Sequence, residues 1–219
     1  MVRLLARLRR TRWAHLVVAN LRILIGFAFL PAALKKLVGE PFTDPANTGR
    51  FHDFLHAFHA TGWFYRFVGV MQLVVAILLC TQRYALVGAL LALPILTAIT
   101  AFCWSTGVYP TATVATLMLL GTAGLVVWDH ERWRGIFATT LAEAPAPAPA
   151  PIDLRRWAWC GLAVFVLYAC LCLAHGGVYR PRGVHFDDPA FYVLPAIMLL
   201  PIVTLYLDRR AHRRGRATG

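Results

Sequence analysis

The sequence predicts an all-α integral membrane protein, with a four-helix transmembrane bundle followed by a C-terminal transmembrane helical hairpin. The first supporting observation is composition, because 59% of the 219 residues are hydrophobic and only 15% are charged, against about 25% charged in a soluble domain. The second is a positive mean hydropathy of +0.61. The third is a set of six long apolar segments. Together these exclude a disordered chain, a coiled coil and an ordinary cytosolic enzyme.

The six apolar segments approach the roughly 20 residues that a helix needs to cross a hydrocarbon core about 30 Å thick. They are Leu16–Val38, Gly62–Cys80, Tyr84–Phe102, Thr111–Trp128, Trp157–Ala174 and Ala190–Leu207. Each is expected to be a helix, because lipid offers no hydrogen-bond partner to an exposed backbone amide or carbonyl. The first segment is longer than the roughly 7–15 apolar residues of a signal peptide, so we expect it to be retained.

The basic residues are distributed unevenly and predict the orientation. If the N-terminus is cytoplasmic, fifteen of the 22 Lys and Arg residues lie on the inner side, six on the outer side, and Arg22 within the first span. An excess of basic residues in cytoplasmic segments is typical of membrane proteins, so both termini are expected in the cytoplasm. We interpret the net charge of +12 as an orientation signal and a contact with the lipid bilayer. A nucleic acid is not an expected partner.

An alternating Ala-Pro stretch over residues 143–151 divides the chain. Alternating proline cannot continue a helix and favours an extended spacer. We therefore predict three parts: a four-span module over residues 1–137, a cytoplasmic linker over residues 138–155, and a two-span hairpin with a basic tail over residues 156–219.

Charged side chains within the spans are the first candidates for function, because they are costly in a membrane. Arg22 and Lys36 share one face of the first span at helical period. They either turn into the bundle or extend to opposite membrane interfaces. Asp129 ends the fourth span at the face where Arg22 enters, so an Arg22–Asp129 ion pair is one hypothesis. The alternative is that Asp129 is a solvated loop carboxylate.

Gln72 lies in the middle of the second span and needs a hydrogen-bonding partner there. Thr97 and Thr100 of the third span and Thr116 of the fourth are possible partners. Gln72 can serve either to bind helices together or to bind a ligand, and both interpretations stay open at this point.

The loop after the first span predicts an amphipathic helix near residues 50–60, lying at the outer interface. His52, His56 and His59 form one edge of this helix, and phenylalanines form the opposite edge. Histidines at positions i and i+4 can share a metal ion. The alternative is a polar edge that faces solvent or lipid headgroups.

Several short motifs of the first four spans resemble the DoxX and DoxX-like family of small four-span membrane proteins. They are Arg22–Gly26, Ala33–Lys36, Pro41–Thr43, Gly62–Gly69 with Gln72, Leu117–Leu120, and Trp128 with Asp129. The likeness covers roughly residues 16–137. It implies a four-helix bundle in the bacterial cytoplasmic (inner) membrane, and it implies nothing about the C-terminal hairpin.

The resemblance also implies an association with redox chemistry, since some members of the wider family are subunits or partners of oxidoreductases, including quinone-linked thiosulfate oxidation. A quinone site would need an apolar slot, an aromatic wall and hydrogen-bond donors. Residues of those types in this sequence are Arg22, Lys36, Tyr65, Gln72 and Trp104.

The predicted function is a non-catalytic subunit or scaffold of a membrane redox complex, with an oxidoreductase as its protein partner. The sequence shows no Ser/His/Asp set, no phosphate loop and no paired intramembrane carboxylates. One alternative is a transporter of small molecules or ions, with a polar path through Arg22, Lys36 and Gln72. Another is an electron carrier with haem or metal on His52, His56 and His59.

Overall fold

The computed structural model describes residues 2–130, 152–179 and 186–217, and these ranges contain helices and no strand. The helices are α1 (Val2–Arg9), α2 (Arg12–Val38), α3 (Arg50–Ala60), α4 (Trp63–Cys80), α5 (Ala85–Ser105), α6 (Tyr109–Trp128), α7 (Leu154–Ala174) and α8 (Pro189–Ala217). Most of the predicted linker, residues 138–151, lies outside the described residues.

Six of these helices, α2 and α4 to α8, are long and apolar enough to cross a membrane. The chain is therefore a multi-pass membrane protein, as the composition predicts. Several helices extend beyond the predicted spans: α2 begins at Arg12 and α5 continues to Ser105. The extension is expected, because apolarity marks only the part of a helix inside the hydrocarbon, whereas helical hydrogen bonding continues into the interface.

The first and last spans begin and end on the same side of the bundle. Arg12 at the start of α2 donates a hydrogen bond of 2.7 Å to the carboxylate of Asp208 near the end of α8. We call this end of the bundle the terminal side, and the opposite end, where α3 lies, the α3 side. The cytoplasmic location of the terminal side stays a prediction.

Helix α2 packs closely against α4 through two glycines. A Cβ added to Gly26 would lie 2.8 Å from Cys80 Sγ, and one added to Gly69 would lie 2.7 Å from the Cβ of Lys36. Small residues at such crossings let two backbones approach, which is how membrane helices gain packing energy. The core that surrounds this contact joins α2, α4, α5 and α6, and it includes Ile25, Phe29, Val75, Leu79, Ala89, Ala92 and Leu125.

The C-terminal hairpin packs against the opposite face of α2. Leu16, Ala19, Ile23 and Leu30 of α2 share a second core with Trp157, Val164 and Tyr168 of α7 and Ile197 of α8. The hairpin also contacts α4, because a Cβ on Gly161 would lie 2.5 Å from the carbonyl oxygen of Cys80. Helix α2 contributes to both cores, and the division into a four-span module and a separate hairpin stays a prediction.

Candidate functional site

The predicted ion pair between Arg22 and Asp129 is present, and it lies inside the bundle near the terminal side. Arg22 Nη2 donates to Asp129 Oδ2 at 2.7 Å. Arg22 and Asp129 are only 5% and 8% exposed, respectively. Asp129 is the residue that directly follows α6, and Arg22 lies on the face of α2 that turns toward α4 and α6. The interpretation of Asp129 as a solvated loop carboxylate is therefore wrong.

A third residue, Gln82, completes this group. Arg22 Nη1 donates to Gln82 Oε1 at 3.3 Å, and Gln82 Nε2 donates to the carbonyl oxygen of Ala19 at 3.2 Å. Gln82 lies in the short turn between α4 and α5 with a φ of 61°, a conformation that is costly for a residue other than glycine. We call Arg22, Gln82 and Asp129 the terminal-side cluster. It ties α2 to the α4–α5 turn and to the end of α6.

The short helix α1 covers the end of α6 next to this cluster. The guanidinium of Arg9 donates to the carbonyl oxygen of Trp128, contacts His130 Nδ1 at 3.1 Å, and lies 5.7 Å from the centre of the Trp128 ring. A cation at the C-terminal end of a helix binds its unpaired carbonyl groups and complements the helix dipole. Sequence analysis missed this contact.

On the α3 side, Lys36 and Tyr65 lie together and are both buried. Lys36 Nζ lies 4.5 Å from the centre of the Phe42 ring and 5.7 Å from that of Tyr65, and it donates to the carbonyl oxygen of Ala32 at 3.2 Å. Tyr65 in turn donates to the carbonyl oxygen of Glu40 at 2.8 Å. Lys36 therefore turns toward aromatic side chains, which attract a cation through their ring faces.

Gln72 lies between these two groups on α4 and is 3% exposed. Its Oε1 has no hydrogen-bond partner among the described residues, so none of the possible threonine partners donates to it. Thr97 and Thr116 instead donate to carbonyl oxygens of their own helices, at Leu93 and Ala112. This local bond is always within reach of a helical threonine, which explains the difference.

Arg22 lies apart from Lys36, and the contacts of Trp104 are with other residues. Trp104 is half exposed on α5, and its indole N–H donates to Thr116 Oγ1 at 3.0 Å. Arg22 and Lys36 are separated along α2 by about 21 Å at 1.5 Å per residue. The structure therefore does not bring the five residues expected for a quinone contact into one site. Lys36 and Tyr65 come together, and Arg22 lies at the other end of α2.

The three histidines of α3 are also held apart. His52 Nδ1 forms a hydrogen bond of 2.6 Å with Thr43 Oγ1, whereas His56 and His59 donate to the carbonyl oxygens of Asn47 and Gly39 at 3.1 and 3.0 Å. Within the described parts of the chain, no three His, Cys, Asp or Glu side chains form a group that could hold a metal ion. The three histidines instead form hydrogen bonds with the loop that precedes α3.

The phenylalanine edge of α3 faces the bundle. Phe51 and Phe54 contact Phe102 with ring centres 5.3 and 4.4 Å apart, and Phe58 contacts Tyr65 at 5.0 Å. A helix is thus present at the predicted place, over Arg50–Ala60, and its location at the outer interface stays a prediction.

Two grooves open between α2 and the hairpin. The first, of about 470 Å³, lies toward the terminal side, and its walls are Trp13, Leu16, Val17, Asn20, Leu21, Ile23, Leu24, Met198, Pro201, Ile202 and Leu205. The second, of about 280 Å³, is lined by Phe27, Ala28, Pro31, Ala32, Tyr168, Tyr179 and Leu194. Arg22, Gln72 and Lys36 line neither of these two grooves.

Comparisons of the chain with protein-family models, with curated proteins and with solved structures return no match. The fold and the site define a helical membrane protein with six candidate spans and a buried Arg–Asp pair. The resemblance to DoxX-like proteins is therefore a prediction that depends on the short motifs of the first four spans.

Proposed function

We propose that this chain is a non-catalytic membrane subunit or scaffold of a membrane redox complex, of the quinone-linked kind that the resemblance to DoxX-like proteins implies. The observation that supports this proposal most is that the charged side chains inside the bundle contact other side chains of the bundle. Arg22 is bonded to Asp129 and Gln82, and Lys36 lies against Phe42 and Tyr65. These contacts hold helices together, which is what a scaffold requires of its polar residues.

The test is recovery of the partner with the full-length chain. The tagged chain is purified in mild detergent from the cells that make it, and its companions are identified by mass spectrometry, with an unrelated tagged multi-pass protein as control. We expect an oxidoreductase subunit in fixed ratio, whose activity in membranes falls when the chain is deleted and returns when it is restored. A chain purified without any companion, and whose deletion leaves that membrane activity unchanged, would contradict the proposal.

A second candidate function is transport, and one observation favours it. Gln72 Oε1 and Thr100 Oγ1 are buried among the spans without a hydrogen-bond partner among the described residues. An unbonded polar atom costs about 1–3 kcal/mol when it is buried, and this cost is recovered if a passing solute donates a hydrogen bond. Transport predicts solute flux into vesicles that contain the purified chain. Gln72→Leu and Lys36→Ala would abolish this flux, and the exposed Thr113→Val would not.

We further propose that the chain lies in the bacterial cytoplasmic membrane with both termini in the cytoplasm. Among the described side chains, the terminal side carries Arg9, Arg10, Arg12, Arg83, Arg209 and Arg210. An excess of basic residues is typical of the cytoplasmic side.

A further inference from the structure

We propose that the terminal-side groove between α2 and α8 is a binding site for one anionic phospholipid, with an acyl chain in the groove and the phosphate at Arg209. The groove is lined almost wholly by apolar side chains from both helices. Two of these, Val17 and Ile202, are 58% and 60% exposed, so the groove opens toward the surrounding lipid. The occupant of such a groove in a membrane-spanning protein is a lipid chain.

The dimensions of the groove fit one leaflet. Its wall on α2 extends from Trp13 to Leu24, about 16 Å of helix axis at 1.5 Å per residue. The hydrocarbon core of a bilayer is about 30 Å thick, so the groove reaches from the interface to about the middle of the membrane. One acyl chain of a phospholipid covers this depth.

The charge at the mouth of the groove favours an anionic headgroup. The guanidinium of Arg209 lies over the ring of Trp13 with its Cζ 4.4 Å from the ring centre. Trp13 is itself part of the groove wall. Among the described residues the Arg209 guanidinium has this ring contact and no hydrogen bond or ion pair, so its N–H donors are available to a phosphate oxygen. Arginine presents several donors in a fixed plane that matches phosphate geometry.

The charges near Arg209 also favour an anionic headgroup. Arg12 is paired with Asp208 at 2.7 Å, which fixes the two helix ends that form the mouth of the groove. Exposed Arg10 lies in the turn that precedes α2. Of the described side chains on these two helix ends, Asp208 is the acidic member, and its charge is already offset by Arg12. The mouth is therefore positively charged, and an anionic phospholipid is favoured over a zwitterionic one.

The headgroup half of the proposal is tested with a pair of matched variants. Purified full-length chain is titrated with phosphatidylglycerol or phosphatidylcholine, and bound lipid is counted by native mass spectrometry in about 1 M salt, where the Debye length is about 3 Å and diffuse attraction is screened. Arg209→Gln should weaken phosphatidylglycerol binding about tenfold, because a charge-assisted hydrogen bond is lost. Arg210→Gln removes the same charge from the same helix and should leave binding nearly unchanged.

The acyl half is tested by narrowing the groove. Val17→Phe and Ile202→Phe enlarge exposed positions, so neither change requires the core to repack, and each should reduce bound lipid severalfold. Val166→Phe, at an exposed position on α7 away from the groove, is the control. The proposal would be overturned if Arg209→Gln and Arg210→Gln lost lipid binding equally, or if the two lipids bound equally well. It would also be overturned if lipid binding were unchanged in both groove variants, or if the chain formed a lipid-free dimer that buries the groove.

Discussion

At the scale of single residues, the arrangement around Arg22 shows how a charge is kept inside a membrane protein. An unpaired charge within the hydrocarbon is strongly unfavourable. Arg22 meets one carboxylate and one amide oxygen, and these partners come from the end of α6 and the α4–α5 turn. The cost of burying Arg22 therefore depends on side chains that are distant in sequence, and the correct packing of three segments is what places them there.

Removal of either member of the buried ion pair should destabilise the protein strongly. Arg22→Ala and Asp129→Ala each leave the other charge without its partner, and a loss of about 3–5 kcal/mol in unfolding free energy is expected. The double variant should lose much less than the sum, because neither charge remains. Denaturant unfolding in mixed micelles measures all three variants. Arg83→Ala, at an exposed position next to Gln82, is the control and should change stability little. Strictly additive losses would contradict a direct interaction.

Gln72→Leu separates a structural role from a role in ligand binding. Because Gln72 Oε1 is buried without a hydrogen-bond partner in the described chain, its replacement by an apolar side chain of similar size should leave stability unchanged or raise it by about 1 kcal/mol. Thermal unfolding in detergent tests this expectation. A loss of more than about 2 kcal/mol would indicate that Gln72 binds the helices together.

The sequence predicted a side-chain contact correctly where the contact is between two opposite charges. Arg22 and Asp129 could be paired in advance because both lie at one end of the bundle and an unpaired charge would be costly. Gln82 could not be found, because its role depends on the path of a four-residue turn. The threonines named as possible partners do not donate to Gln72 Oε1. Thr97 and Thr116 bond within their own helices instead, and periodicity does not distinguish the two choices.

At the scale of helices, close crossings determine where the functional side chains lie. Gly26 and Gly69 bring α2 and α4 together at two levels, near Cys80 and near Lys36. This spacing turns Lys36 toward Tyr65 on one side of the membrane and Arg22 toward Gln82 on the other. Helix α3 was predictable because its histidines and phenylalanines separate at helical period, but the partners of each histidine depend on the loop that precedes it.

Two glycine substitutions test the helix crossing with a matched control. In Gly69→Ala the new Cβ would lie 2.7 Å from Lys36 Cβ, so overpacking should cost about 1–3 kcal/mol. Gly124 on α6 has nothing within 4 Å of an added Cβ, and Gly124→Ala should be neutral or slightly stabilising because alanine favours helix. Unfolding of both variants in the same detergent gives the comparison. Equal effects of the two substitutions would contradict the close α2–α4 approach.

At the scale of the whole molecule, α2 is the helix around which the other spans are arranged. One face packs against α4 and α6, and the other packs against the hairpin. The number of spans was predictable, because about 20 apolar residues in sequence are enough to mark a crossing. The position of the hairpin was not predictable. An apolar helix face can contact either lipid or another helix, and the sequence does not show which of the two it contacts.

Thiol labelling of single added cysteines tests the six-span topology most directly. Arg10→Cys and Arg210→Cys are at exposed positions on the terminal side, and Thr48→Cys is at an exposed position on the α3 side. An impermeant maleimide is applied to intact cells and then to permeabilised cells, with the unchanged chain as background for its own cysteines. We expect Thr48→Cys to react in intact cells, and Arg10→Cys and Arg210→Cys to react only after permeabilisation. Labelling of Arg10→Cys and Arg210→Cys from opposite sides of the membrane would contradict an even number of spans, and with it the arrangement of six membrane-crossing helices that include α2.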